Sequence, residues 1–342
     1  MNLKNMAIAV VLLGTMASCS KDRTDDEITP KNTNVYVAGF EYSGNFSQAK
    51  FWKNGIVTNL GTTGKTSYAN AVFVQGNDIF IAGQEAISSA TDANRQIKLW
   101  KNGVLAQTIT NGTQNAATRD LYVAGNDVYI TGVEFNGTYN VAKVWKNGVA
   151  SSLTNGTKEA VANAISVSAG NVYVAGSEFD GASYTLKLWK NGTAQNLASG
   201  AKSAEANALF VSDNDVYVAG EEMGAAKFWK NGTATVVAAK TARAMGIYVS
   251  EYTVYVAFEE YNATTKKWQG KVWKNGQITN ITDGTQNCYL KGIRLDGADV
   301  YVTGSESNGT TDVAKIWKNG TATSLTNGTQ KGIAWDIFIA KQ

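Results

Sequence analysis

The sequence predicts an all-β protein, a seven-bladed β-propeller of four-stranded antiparallel blades, on three observations. The tetrapeptide Trp-Lys-Asn-Gly occurs seven times, and its tryptophans are 48, 45, 44, 40, 44 and 44 residues apart. A second motif of the form Val-Tyr-Val-Ala-Gly-x-Glu precedes each copy, with small variations. The two ends of the chain look like complementary parts of one unit. Four short strands in about 44 residues is the period of a propeller blade.

Each unit has the pattern of four strands joined by tight turns. In the segment 206–239, ANALFVSDNDVYVAGEEMGAAKFWKNGTATVVAA, apolar residues alternate or form short blocks rich in Val, Tyr, Phe and Trp, which favours strands over helices. SDND separates the first two strands, and a glycine-containing loop separates the second and third. Asn-Gly separates the last two, because both residues adopt a positive φ at little cost. One unit is therefore predicted to be a four-stranded meander.

The chain ends predict how the ring closes. The first unit begins at Asn34 with its second strand and lacks an innermost one. The last residues, KGIAWDIFIAKQ from Lys331, match the innermost strands of the other units. We therefore expect the C-terminal strand to complete the first blade, which removes two open sheet edges.

The repeated polar residues predict scaffold contacts. Each second strand ends in a glutamate, such as Glu41, and each third strand has a lysine two residues before its tryptophan, such as Lys50. A two- or four-residue connection makes this pair cross-strand neighbours and places the tryptophan over the glycine position. A three-residue connection pairs the tryptophan with the tyrosine instead. We expect the first arrangement.

The N-terminal residues predict a lipid anchor. Residues 1–18 combine Lys4 with an apolar run and small residues, which is the pattern of a secretory signal peptide. The segment Met-Ala-Ser-Cys that ends at Cys19 resembles the lipobox of bacterial lipoproteins. This resemblance implies that Cys19 carries lipid and that the protein is an outer-membrane lipoprotein of the cell envelope. The alternative is an ordinary cleaved signal in which Cys19 is incidental.

The polar residues that follow predict a linker before the propeller. Residues 19–33 contain few apolar side chains, as expected of a flexible tether, and residues 34–342 form the propeller. The acidic run in the tether resembles signals that send some lipoproteins to the outer face of the outer membrane, which implies a surface-exposed protein.

The composition excludes several kinds of active site. The chain contains no histidine, so it has no Ser-His-Asp triad, no histidine base and no ordinary zinc or iron site. The net charge of +3 is close to neutral, which argues against a nucleic-acid partner. Cys288 lacks a histidine base and is predicted to be a packing residue. We expect no catalytic residue, no metal, no cofactor and a monomer.

Candidate binding residues lie where the repeat breaks. At the entrance to the innermost strands most blades have Asn, Ala or Gly, and one long loop between second and third strands adds a tryptophan. The exceptions are Arg119 with Asp120, Met245 preceded by Arg243, Lys291, and Trp335 with Asp336, and the tryptophan of the loop is Trp268. Arg119, Arg243, Lys291, Trp335 and Asp336 are predicted to line a polar, partly aromatic mouth on the axis, with Trp335 and Arg119 sharing a site, and Asp120 and Trp268 are further candidates for ligand binding. The alternatives are that they plug the channel or pair with one another, and that Trp335 is buried between blades.

The blades resemble kelch repeats, because a second strand with glycine is followed by a third strand with tryptophan. They differ in having one glycine instead of two and in their Asn-Gly turn. The chain also resembles bacterial surface lipoproteins. We expect a non-enzymatic, membrane-anchored binding or scaffold protein with a glycan or protein partner. The alternative is a glycan-active hydrolase or lyase that uses carboxylate or Tyr/Arg/Lys chemistry, which requires converging carboxylates.

Overall fold

The structure is a computed structural model that describes residues 32–90 and 93–341. These residues form 28 strands in seven four-stranded antiparallel sheets, so the predicted fold class is confirmed. None of the described residues belongs to a helix long and apolar enough to cross a bilayer. Residues 1–31, which include the predicted signal peptide, Cys19 and most of the predicted tether, lie outside the described residues.

The first four blades have the following strands. Blade 1 consists of β28 (Gly332–Lys341), β1 (Thr33–Ser43), β2 (Phe46–Lys53) and β3 (Ile56–Asn59). Blade 2 consists of β4 (Ser67–Gln75), β5 (Asp78–Ala86), β6 (Arg95–Lys101) and β7 (Val104–Thr108). Blade 3 consists of β8 (Ala116–Ala124), β9 (Asp127–Phe135), β10 (Asn140–Lys146) and β11 (Val149–Ser152). Blade 4 consists of β12 (Glu159–Ser168), β13 (Asn171–Phe179), β14 (Tyr184–Lys190) and β15 (Thr193–Ala201).

The last three blades repeat this order. Blade 5 consists of β16 (Ala204–Ser212), β17 (Asp215–Glu222), β18 (Ala225–Lys230) and β19 (Thr233–Ala238). Blade 6 consists of β20 (Ala242–Ser250), β21 (Thr253–Asn262), β22 (Lys267–Lys274) and β23 (Gln277–Asn280). Blade 7 consists of β24 (Cys288–Asp296), β25 (Asp299–Ser307), β26 (Asp312–Lys318) and β27 (Thr321–Ser324). The innermost strands β28, β4, β8, β12, β16, β20 and β24 each contact the innermost strands of both neighbouring blades, so the ring is closed.

The C-terminal strand completes blade 1, as predicted. β28 pairs with β1 in antiparallel register from Thr33 opposite Lys341 to Glu41 opposite Gly332. Blade 7 also holds this junction, because the Asp296 carboxylate accepts a hydrogen bond from the Thr33 hydroxyl and lies 2.9 Å from the Lys341 ammonium group. One carboxylate therefore binds both strands that close the ring.

The repeated tryptophans join adjacent blades. Seven hydrophobic clusters each combine residues of two neighbouring blades, and each includes or contacts the motif tryptophan of one of them. Trp100 of blade 2, for example, packs against Tyr36 and Phe51 of blade 1 and is 2% exposed. Burying an aromatic side chain of this size is among the largest stabilising contributions that a single residue can make. This explains why the motif recurs in every blade.

The asparagine of each Trp-Lys-Asn-Gly motif has two functions. Asn54 adopts a φ of 51° and Gly55 a φ of 81°, as a two-residue hairpin requires. The Asn54 side-chain oxygen also accepts a hydrogen bond of 2.8 Å from the Val35 amide at the start of the second strand. All seven motif asparagines accept the equivalent bond, so each ties the outer hairpin to the middle of its blade.

The register of the second and third strands agrees with the expected arrangement of faces. Trp52 lies opposite Val37, Lys50 lies opposite Gly39, and Glu41 is the diagonal neighbour of Lys50. The glutamate and lysine form an ion pair in six blades, at 2.8 Å for Glu178 and Lys187. In blade 2 the glutamate accepts hydrogen bonds from Thr62 instead. These repeated charges are therefore part of the scaffold.

The glycine recurs at the same position of the second strand for a backbone reason that the sequence did not indicate. A Cβ atom on Gly132 would lie 2.0 Å from the Ala117 carbonyl oxygen of the innermost strand. Gly39, Gly83, Gly176, Gly220 and Gly304 have the same close approach, at 1.9 to 2.1 Å. The innermost strand bulges at this point, so its backbone comes too close for any side chain.

Candidate functional site

Every innermost strand contains a β-bulge at the equivalent position, two to three residues after its start. The bulge leaves one residue without a partner on the neighbouring strand, or two in blade 7. In blade order from 1 to 7 the bulged side chains are Trp335, Asn70, Arg119, Asn163, Asn207, Met245 and Lys291. We call this set the axial ring.

On blades 4, 5 and 6 the side chains of the axial ring have partners in the neighbouring blade. The Asn163 amide donates to the Ala206 carbonyl of the next blade at 2.9 Å, and the Asn207 amide donates to the Ala244 carbonyl at 3.0 Å. Asn207 also contacts the Met245 sulfur at 3.7 Å. An asparagine at the bulge thus links one innermost strand to the next. We call Asn163, Asn207 and Met245 the closed arc.

On blades 7, 1, 2 and 3 the axial ring has unused polar groups. The Lys291 and Arg119 side chains form no hydrogen bond or ion pair with any residue that the structure describes. Asn70 is 8% exposed, and its side-chain oxygen has no hydrogen-bond partner among the described residues. Trp335 is partly buried. These four neighbouring positions, the open arc, are where a ligand would find groups to bind.

The charges of the mouth interact across the axis. Burial lowers the pKa of the Lys291 amine, the nearby Arg243 and Arg119 cations lower it further, and the Glu259 and Glu205 carboxylates oppose this. Burial also lowers the pKa of Arg119, whose side chain is accessible to water at the mouth, and Glu205 opposes this. Blades 3, 5 and 7 are not neighbours, so these side chains interact through the centre of the ring.

Blade 6 contributes a charge pair that is already neutralised. The Arg243 guanidinium lies 2.7 Å from the Glu259 carboxylate and stacks over the Trp268 ring, 4.2 Å from its centre. Glu259 is 1% exposed and also accepts a hydrogen bond of 2.5 Å from the Leu290 amide of blade 7. Burial raises the pKa of Glu259, and Arg243 opposes this. The predicted residues Arg243 and Trp268 therefore contact each other, which is the pairing that the sequence left open.

Trp335 belongs to an aromatic cluster instead of contacting Arg119. Its ring stacks on Tyr68 at 5.5 Å and 25°, and its edge meets Phe40 at 5.2 Å. The Phe40 ring also contacts Tyr42 at 5.9 Å. Trp335 and Arg119 occupy equivalent positions two blades apart, with Asn70 between them. Trp335 packs on Tyr68 and Phe40 and is half-buried.

Asp120 and Asp336 lie one residue beyond the bulge and bind backbone. The Asp120 carboxylate accepts hydrogen bonds of 2.8 Å from the Leu121 and Ile165 amides, the second of which belongs to blade 4. The Asp336 carboxylate accepts bonds of 2.8 and 2.9 Å from Ile337 and from Val72 of blade 2. Both side chains therefore connect blades.

The pKa values of this acidic pair reflect their surroundings. Burial and the neighbouring Asp336 charge together raise the pKa of Asp120 to about 7, against the hydrogen bonds from the Ile165 and Leu121 amides and the Arg294 guanidinium. Burial raises the pKa of Asp336 as well, and Arg294 opposes it. Arg294 comes from blade 7 and Asp120 from blade 3, so these groups also meet on the axis.

Sequence reasoning missed four residues that shape the mouth. Asn70, Tyr68, Glu259 and Arg294 were absent from the prediction. Asn70 was hidden because asparagine is the common residue at its position. Arg294 could have been found by aligning the units, since five of the six matching residues are aromatic: Phe73, Phe338, Tyr122, Phe210 and Tyr248, the sixth being Ser166. The described residues contain no group of three or more His, Cys, Asp or Glu side chains that could hold a metal ion.

Two cavities lie away from the axial ring. One of about 230 Å³ lies between blades 6 and 7 and is lined by Tyr255, Ile281 and Trp317 among others. One of similar volume lies between blades 2 and 3, beside Asp78 and Lys101. Both are lined largely by repeated residues, so they are grooves between blades.

Comparison with known proteins establishes the fold alone. No protein-family model and no curated protein matches the chain. Among solved structures, a prolyl endopeptidase aligns over 92% of this chain and 50% of its own, with a TM-score of 0.53 and 14% identity. An acylaminoacyl peptidase aligns over 88% of this chain and 51% of its own, with a TM-score of 0.51 and 11% identity. A protein from Lactobacillus plantarum aligns over 90% of this chain and 99% of its own, with a TM-score of 0.49 and 12% identity.

This chain spans about half the length of the two peptidases. At 11 and 14% identity the similarity shows a shared propeller architecture, and it carries over no activity or ligand.

Proposed function

We propose that this protein is a non-enzymatic binding propeller, anchored to the outer membrane of the cell envelope through lipid on Cys19, with a glycan or protein ligand at the axial ring. The observation that carries this proposal is the open arc. Asn163 and Asn207 use the bulge position to connect blades, whereas Lys291, Asn70 and Arg119 leave polar groups unused at the same position. Binding proteins commonly place a few such groups in a concave site on a rigid scaffold.

The repeated residues support this assignment by elimination. The motif tryptophans are buried between blades, the asparagines hold the hairpins, and the glutamates and lysines pair with each other or with neighbours. Every repeated feature thus has a structural use. A ligand therefore has to be recognised by the residues that differ between blades.

Binding fits the mouth better than catalysis. A glycan-active hydrolase needs two carboxyl groups free to act on opposite sides of the bond that breaks. The Glu259 carboxylate is occupied by Arg243 and a backbone amide, Asp120 and Asp336 are each occupied by two amides, and Glu205 accepts a hydrogen bond of 3.3 Å from Asn163. The carboxylates at the axis thus have structural partners.

The proposal is tested with the full chain and two variants. Cys19→Ala is expected to release the protein from the membrane fraction, and it provides a soluble form for a glycan array. Trp335→Ala in that background is expected to weaken binding of any captured glycan about tenfold or more, because ring stacking is lost. Trp189→Phe, at a buried motif position, is the control for altered packing.

Two results would contradict the proposal. The anchor is wrong if Cys19→Ala remains with the membranes after a salt wash. The location of the site is wrong if Trp335→Ala keeps full binding, or if it loses binding only in proportion to a lowered melting temperature, as Trp189→Phe would.

A further inference from the structure

We propose that the ligand of the axial ring is an acidic saccharide, whose carboxylate lies between Arg119 and Lys291 while a sugar ring packs against Trp335. This inference deepens the proposed function and rests on it. Three independent features of the open arc lead to it: unpaired cations, an unpaired acceptor and an aromatic face.

Around Lys291 the cations outnumber the carboxylates, and the separate group of Arg294 with Asp120 and Asp336 lies one to three residues further along the innermost strands. The cations are Arg119, Arg243 and Lys291, and the carboxylates are Glu205 and Glu259. Arg243 and Glu259 neutralise each other at 2.7 Å. Glu205 is the remaining carboxylate, and it forms no ion pair within the described residues. The partly buried Lys291 and the exposed Arg119 therefore stand against one carboxylate on another blade.

For the partly buried Lys291 this arrangement costs free energy. A charge that is removed from water without a partner destabilises the fold or shifts its pKa. Burial does lower the pKa of both Lys291 and Arg119. An anionic group bound between them would offset this cost, and the planar guanidinium of Arg119 can bind a carboxylate with two parallel hydrogen bonds.

The unpaired acceptor points to a ligand with hydroxyl groups. The Asn70 side-chain oxygen lies between Trp335 and Arg119 in blade order, is buried, and lacks a donor among the described residues. A buried acceptor without a partner destabilises the protein, and a donor from the ligand would remove this cost. A saccharide hydroxyl is such a donor, whereas a simple inorganic anion offers few or none.

The aromatic surface at Trp335 favours a ligand that contains a sugar ring. Trp335 and Tyr68 stack with their planes 25° apart, and because the Arg95 guanidinium lies over the Tyr68 ring at 5.7 Å, Trp335 provides the platform. The indole N–H of Trp335 and the hydroxyl of Tyr68 form no hydrogen bond within the described residues. The apolar face of a sugar ring can pack on such a platform while its hydroxyls reach these polar tips. Lys291, Trp335, Asn70 and Arg119 thus follow one another around the axis on four consecutive blades.

Matched pairs of saccharides test the inference. Oligosaccharides of galacturonate, glucuronate and mannuronate are compared with neutral oligosaccharides of galactose, glucose and mannose in the same linkages, by titration into the full-length protein in nonionic detergent. We expect at least one acidic member to bind about tenfold or more tighter than its neutral counterpart. Its affinity should fall as the salt concentration rises, because charge attraction is screened.

Two variants replace the cations with a residue that the fold already accepts. Arg119→Asn and Lys291→Asn give blades 3 and 7 the asparagine that blades 2, 4 and 5 have at the bulge. Each is expected to reduce the affinity for the acidic saccharide about tenfold and to leave the neutral one unchanged. Lys202→Gln removes the same charge from an exposed loop between blades 4 and 5, and it should change neither affinity.

Several outcomes would overturn the inference. Equal affinity for acidic and neutral members, unchanged in both variants, overturns the carboxylate site but leaves the proposed binding function in place. Failure of every acidic member to bind the wild-type protein overturns it as well. Tight binding of inorganic phosphate or of a sugar phosphate in the absence of uronate binding overturns it in favour of a phosphate ligand. If Trp335→Ala keeps full glycan binding on the array, the proposed function itself is contradicted. Failure of the proposed function and failure of this inference can therefore be distinguished.

Discussion

At the scale of single residues, Asp120 and Asp336 show that a polar side chain at a break in the repeat can serve the scaffold. Both were predicted to be ligand-binding residues, and both use their carboxylate oxygens to connect neighbouring innermost strands. Alignment of the blades identifies their positions in the sequence. Their partners were not predictable, because a bulge shifts the register and brings a backbone amide of the next blade within reach.

The raised pKa of Asp120 predicts a dependence of stability on pH. In the folded protein this pKa is about 7, above the ordinary value of 3.8, so the folded state retains a proton that the unfolded state has lost. The free energy of unfolding should therefore fall as the pH rises from about 4 to about 7, by on the order of 2 kcal/mol from this group, since the channel partly screens the charge.

The variant Asp120→Asn isolates this contribution. It keeps one acceptor for a backbone amide but cannot ionise, and it relieves the neighbouring Asp336 of a like charge. Chemical denaturation between pH 4 and pH 8 should give a flatter profile than that of the wild type. Carboxylates with lowered pKa values, such as Asp215 and Asp299, act below about pH 4 and do not affect this window. Parallel profiles of the two proteins would show that Asp120 does not titrate there.

At the scale of strands and turns, the sequence predicted the features that recur in every blade and missed those that depend on close backbone contacts. The four-stranded meander, the Asn-Gly hairpins and the facing of Glu41 and Lys50 followed from alternation and turn chemistry. From the sequence we expect the tryptophan to lie over the glycine, and Trp100 does lie 3.0 Å from the position that a Cβ atom on Gly83 would take. The closer contact at 1.9 Å is the Tyr68 carbonyl. A carbonyl in a bulge leaves no trace in the hydrophobic pattern.

The outer edges of the blades are protected because most of the outermost strands are short. In six blades the outermost strand has four to six residues, as in β3 with four, although exposed apolar side chains such as Ile56 and Val57 lie on it. β15 of blade 4 is longer, with nine residues. Short edge strands offer little backbone for pairing with another chain.

The hairpin asparagine provides a prediction at this scale. Asn147 has a φ of 51°, accepts a hydrogen bond of 2.9 Å from the Val128 amide and donates one of 2.8 Å to Asp127. Asn147→Ala loses both bonds and strains the turn, so we expect a loss of about 2–3 kcal/mol in the free energy of unfolding. Asn147→Gly loses the bonds but permits the positive φ, so its loss should be about 1 kcal/mol.

Denaturant unfolding of the two variants separates the effects. Equal losses for alanine and glycine would mean that the backbone conformation contributes nothing, which contradicts the structure of the turn.

At the scale of the whole molecule, closure by the C-terminal strand makes the ring dependent on its last residues. The complementary chain ends predicted this pairing, and β28 also supplies Trp335 and Asp336 to the axis. What the sequence could not predict is which neighbours these side chains meet, since that depends on how adjacent blades are oriented. Trp335 thus stacks on Tyr68 of blade 2, whereas its expected partner Arg119 lies one blade further on.

Deletion of residues 331–342 tests this dependence. The loss of β28 exposes an edge of β1, removes the Asp336 bond to Val72 and opens the hydrophobic cluster between blades 7 and 1. We expect aggregation or a large fall in melting temperature, measured by thermal unfolding and size-exclusion chromatography. A truncated protein that melts like the full chain and stays monomeric would contradict closure by β28.

The junction at Asp296 has a mechanical consequence. Tension applied through the residues that precede Thr33 enters the ring at β1, which is hydrogen-bonded along one side to β2 and along the other to β28. The first residue of β1 is also tied to blade 7, because Asp296 binds Thr33 and, at 2.9 Å, the end of β28. A pull on the N-terminal side therefore loads two ladders and two blades at once instead of peeling away a single strand. A ring built in this way resists a pull at Thr33 with hydrogen bonds and an ion pair from two blades.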